Sequence, residues 1–133
     1  MISAACGTDA HVHMGYYVRA GHDEPFYYSP RRVLGMLSRC GIDEFIVSTT
    51  NSQVSGISFA EILREAREMN RVAGHRAHQL LWMSGRIFDE DSALQVMDSG
   101  LYEGVKLHGV ETPWITERRD DLLRELDVVA GRQ

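Results

Sequence analysis

Short apolar runs alternate with capped, amphipathic segments along this chain, and that alternation restricts its fold more than any other feature. Phe45-Ile46-Val47-Ser48-Thr49 is a β-branched run suited to a strand. Leu80-Leu81-Trp82-Met83-Ser84 is nearly all apolar, as a strand covered on both faces is. Between them, Ser58-Phe59-Ala60-Glu61 forms a capping box, with Ile57 and Ile62 placed to staple the helix entry. Ile62, Ala66, Met69 and Ala73 then keep helical spacing as far as Gly74, a stop residue.

The same grammar extends in both directions. The first strand is predicted over residues 4–10, followed by a long loop over 14–28 that is broken by Gly21 and Pro25. Ser29-Pro30 starts a helix whose apolar stripe is Val33, Leu34, Leu37 and Cys40, with Gly41 as its stop. Ser92-Ala93-Leu94-Gln95 is a second capping box, and Gly100 ends the short third helix. Gly104-Val105-Lys106-Leu107-His108 reads as the fourth strand, and Leu122, Leu123, Leu126 and Val129 mark a fourth helix. The order is βα repeated four times, which predicts an α/β fold with a parallel sheet and right-handed crossovers in one domain, residues 1–133.

Composition removes several functions. Nineteen acidic residues against fourteen basic ones leave a formal charge of −5, which argues against a nucleic-acid partner. No apolar run is long enough to cross a membrane. No basic-then-apolar leader opens the chain, and Cys6 and Cys40 match no metal or disulfide pattern, so the expected location is the cytoplasm. No GxGxxG follows the first strand, which argues against dinucleotide binding.

The chemistry gathers around Asp9-Ala10-His11-Val12-His13. In a strand the side-chain period is two, so His11 and His13 point the same way, with Asp9 one step deeper. Two imidazoles and a carboxylate suit a divalent first-row metal such as zinc, with manganese or iron as alternatives. Functional groups of parallel α/β folds collect at the C-terminal ends of strands, and Lys106 and His108 also share one face of a strand end. A His-X-His pair also occurs where two histidines merely hydrogen-bond at a polar strand end, but its position here favours a metal or catalytic site.

Asp-Ala-His-Val-His at the end of a first strand resembles the opening of the amidohydrolase superfamily, and Gly-Val-Lys-Leu-His is similar to a segment of its amidohydrolase-related branch. The resemblance implies a TIM-like (β/α)8 barrel and metal-dependent hydrolysis of carbon–nitrogen or carbon–oxygen bonds in a small-molecule substrate, or decarboxylation in some branches. By the match, His11 and His13 are metal ligands. Lys106 has three open readings: a carboxylated lysine bridging metals, a plain cation orienting substrate, or a buried lysine paired with a carboxylate. His108 is a ligand, a substrate contact or a satisfied strand-end histidine. Members of the superfamily carry eight strands, with further ligands and an aspartate base in the later ones. Four βα units therefore predict the N-terminal half of such a barrel, its sheet edges closed by pairing of two chains, by the rest of a longer protein, or by an open, flattened sheet covered by its own helices or another copy, with a homodimer or higher homo-oligomer favoured in every case. The alternative is a non-catalytic metal-binding or assembly module. A metal-dependent phosphoesterase that opens with His-X-His is a third, weaker fit.

Other groups rank below these. His75 and His78, at helical spacing ahead of the third strand, read as surface residues. His22, Asp23, Glu24 and the tyrosines of the first loop line a pocket or lie on a solvated loop. Arg86 reads as an ion-pair partner of Asp89 or Glu90, and Trp82 and Trp114 as packing residues.

Overall fold

The computed structural model describes residues 7–17, 21, 26–50, 57–82, 95–96, 98–106, 120, 124 and 127. The strands are β1 (Gly7–Tyr17), β2 (Phe26–Tyr28), β3 (Ile42–Thr49), β4 (Ala77–Trp82) and β5 (Gly104–Lys106). The helices are α1 (Pro30–Arg39) and α2 (Phe59–Ala73), and a 3₁₀ turn, Gly74–Arg76, leads from α2 into β4. The sheet order is β2-β1-β3-β4-β5. β1, β3, β4 and β5 pair in parallel, while β2 runs antiparallel to β1.

This corrects the expected architecture of four parallel βα units forming a half-barrel. The sheet is mixed, and the described residues contain two α-helices. The error begins at β1, which does not stop at residue 10 but continues through the histidines to Tyr17. Its last residues form a ladder with β2, Gly15 against Tyr28 and Tyr17 against Phe26. Residues 14–28 were expected to be loop because Gly21 and Pro25 interrupt them, yet the aromatics on either side have strand propensity. The Thr50 hydroxyl locks this corner by donating to the carbonyls of Met14 and Tyr16. Most of the expected third and fourth helices lies outside the described residues.

The two helices form for local reasons. The Ser29 hydroxyl accepts the Arg32 N–H at 3.3 Å, and Pro30 opens α1 where no amide is needed. At α2, Ser58 and Glu61 cap each other reciprocally: the Ser58 side chain accepts from the Glu61 amide, and Glu61 accepts from the Ser58 amide at 2.9 Å. Ser58→Ala is expected to lower stability by about 1 kcal/mol, read from the urea midpoint; no shift would mean that packing alone holds this end.

Both helices cover one face of the sheet. Val12 and Met14 of β1, Phe45 and Val47 of β3 and Ala77 of β4 meet Val33 of α1 and Met69 and Ala73 of α2 in the main core. A second cluster joins Ala66, Leu81, Val96 and Tyr102. Strand alternation then turns His11, His13, Ser48 and Trp82 to the opposite face.

Candidate metal centre

β1 carries a bulge at the site. Asp9 pairs with Phe45 and Val12 with Val47, so β1 takes three steps where β3 takes two. The extra residue breaks the alternation and moves Asp9 away from its expected place beside the two imidazoles. Its carboxylate instead accepts the backbone N–H of His11 at 2.9 Å, satisfying a donor beside the bulge.

Beyond the bulge, three nitrogens converge. His11 Nε2 and His13 Nε2 lie 2.8 Å apart, with the rings edge-to-face. Lys106 Nζ reaches them across the sheet at 3.1 and 3.3 Å. The Ser48 hydroxyl lies 3.2 Å from His13 Nδ1, which leaves Nε2 for the cluster. Trp82, buried beside Lys106 in the β4–β5 register, forms a wall: its ring lies 5.1 Å from that of His13 and 4.8 Å below Lys106 Nζ. Burial pushes the Lys106 amine below the ordinary lysine range.

The two imidazoles are the donors in this cluster whose chemistry suits a divalent metal. Nitrogen donors of this kind suit zinc better than calcium or magnesium. Catalytic zinc normally takes three protein ligands, and the two imidazoles supply two. Among the described residues no group of three or more His, Cys, Asp or Glu is arranged around a common metal position.

Sequence reasoning brought His11, His13 and Lys106 into view, while His108, His22, Asp23, Glu24, Arg86 and Trp114 lie outside the described residues. It missed Ser48 as a partner of His13. The signal was the Ser48 hydroxyl inside a β-branched run, two residues after Ile46 on the same face. His78, read as a surface residue ahead of the third strand, lies within β4 with its side chain partly exposed. Its Nε2 lies 2.6 Å from Glu44, and its Nδ1 2.9 Å from Glu103. The hydrogen bond to Glu103, then that to Glu44, raises its pKa above the ordinary histidine value. A folded pKa above the unfolded one gives stability that is full below about pH 6.5 and disappears as pH rises through the raised value. The partners are solvent-facing, so the expected loss is about 0.5–1 kcal/mol. Urea unfolding at pH 5.5 and 9 should show it in the wild type and not in His78→Gln; equal pH dependence in both would exclude the triad as its source.

A second missed group is Glu65, buried in α2 at 5 % exposure. The Thr49 hydroxyl donates to it at 2.7 Å, and the Tyr27 hydroxyl also bonds to it. Burial raises the carboxyl pKa against these bonds. Burial and the neighbouring carboxylate push Tyr27 up to about 12. The three residues tie α2, β3 and β2 together.

No family model matches the chain, and neither a curated protein nor a solved structure is detectably similar to it. Among the described residues no helix is long and apolar enough to cross a membrane.

Proposed function

We propose that the chain is a metal-dependent hydrolase of the amidohydrolase type, acting on carbon–nitrogen or carbon–oxygen bonds of a small molecule in the cytoplasm. Decarboxylation is the other reaction of that class. The observation that carries the proposal is the convergence of His11 Nε2, His13 Nε2 and Lys106 Nζ within 3.3 Å of one another. His11 and His13 hold the metal, zinc first, with manganese or iron as alternatives. When bound, such an ion supplies a Lewis acid and lowers the pKa of coordinated water toward neutrality. Ser48 fixes the His13 ring, Trp82 screens the inner side from solvent, and Lys106 either completes the ligand set or orients an acidic group of the substrate.

Zinc titration by calorimetry, followed by hydrolysis of an activated aryl ester and an anilide, tests this. The wild type is expected to bind zinc and to exceed the His11→Ala/His13→Ala double variant by about 100-fold or more in rate. Equal background rates in the two proteins would reject the enzyme.

The second reading is a non-catalytic metal-binding assembly module. It is favoured by the exposed Tyr17, Phe26 and Met36 of β1, β2 and α1, apolar surface suited to a second copy. Zinc binding without turnover, together with a dimer in gel filtration, would select it.

A further inference from the structure

We infer that the Lys106 amine is a covalent capture site for a small carbonyl compound, an aldehyde or a 2-oxo acid, which it holds as an imine. This goes beyond the metal reading, because the step needs no ion. The chain contains thirteen arginines and one lysine, Lys106. Among the described residues, the ion pairs made by basic chains of this kind all use guanidinium groups: Arg31 and Arg71 with Glu68, and Arg76 with Asp43. A guanidinium stays protonated and does not attack a carbonyl, whereas an amine does. The one amine side chain stands where, among the described residues, no carboxylate meets it. Its neighbours are His11 Nε2 at 3.1 Å, His13 Nε2 at 3.3 Å and the Trp82 ring, 4.8 Å from Nζ to the ring centre. A purely structural lysine is normally paired with an acid or fully solvated.

The neighbours supply what imine formation needs. The Nζ lone pair attacks the carbonyl carbon, and a carbon–nitrogen bond forms. Both amine hydrogens pass to the carbonyl oxygen by way of the imidazoles, the carbon–oxygen bond breaks, and water leaves. Amine and carbonyl thus become imine and water, with no oxidant, reductant or further reactant. Two Nε2 atoms within 3.3 Å of one amine are placed for that proton shuttle. In the tautomer whose Nδ1 donates to the Ser48 hydroxyl at 3.2 Å, His13 Nε2 carries the lone pair. Trp82, 6 % exposed, backs the amine with an apolar wall. Lys106 itself is only partly buried in β5, so a small molecule can reach it.

The test uses the full chain, free of metal. Glyoxylate, both an aldehyde and a 2-oxo acid, is added with sodium cyanoborohydride, which reduces an imine to a stable secondary amine. Intact mass and peptide mapping then locate the adduct. Lys106 is expected to be modified at least about 10-fold faster than Nα-acetyl-lysine amide under the same conditions. His11→Gln/His13→Gln should slow the capture by about 10-fold or more, and Lys106→Arg should abolish it, with circular dichroism showing each variant folded. Modification no faster than that of the free amine, an adduct confined to the α-amino group, or an unchanged rate in the double-histidine variant would overturn the inference. Zinc calorimetry on the same protein keeps the two readings apart. Zinc binding without capture would leave the metal centre and remove the imine, and capture without zinc binding would do the reverse.

Discussion

Phe45→Ala is expected to cost about 3–5 kcal/mol, a large share of the stability of a domain this size. Phe45 is fully buried in β3, at the centre of the sheet's helix-covered face. Its ring belongs to the main core with Val12 of β1, Val33 of α1, Met69 and Ala73 of α2 and Ala77 of β4. Truncation removes transfer energy and opens a cavity bounded by five elements that cannot all move inward together. Phe45→Leu keeps most of the volume and should cost about 1–1.5 kcal/mol. Denaturant titration of both variants checks the pair. A cost below about 1 kcal/mol for alanine would mean that this face collapses freely and is not a packed core.

His13→Ala is expected to weaken zinc binding by more than about 100-fold, and Ser48→Ala by about 10-fold. His13 supplies one of the converging nitrogens, so its loss removes a ligand. Ser48 touches only the far nitrogen of the ring, at 3.2 Å, and acts by orienting it. The graded pair is informative because a merely structural histidine would show no such order in metal affinity. Calorimetric titration reads both variants, with urea midpoints confirming that each remains folded. Equal zinc affinity in wild type and His13→Ala would end the metal-centre reading outright.

The helix ends were legible from residue chemistry because a cap is settled within four residues. Ser29-Pro30 and Ser58-Phe59-Ala60-Glu61 did in the fold what their side chains can do in isolation. The pairing of β2 was not legible. Three residues, Phe26–Tyr28, become a strand only by lying against the extended end of β1. The bulge between Asp9 and Val12 was equally hidden, since it exists only in register with β3. A strict period of two placed Asp9 with the histidines; one extra residue was enough to remove it.

The sequence by itself determined the capped helices, the apolar runs of the sheet and the pairing of two imidazoles at a spacing of two. These depend on neighbours within a few bonds, where propensity and periodicity act. Only the tertiary structure decided that Lys106 comes to within 3.3 Å of those imidazoles across ninety-odd residues, that Ser48 holds His13 and that Glu44 and Glu103 clamp His78. Strand order and register set those meetings, and both are properties of the whole sheet, fixed only when distant segments share one core.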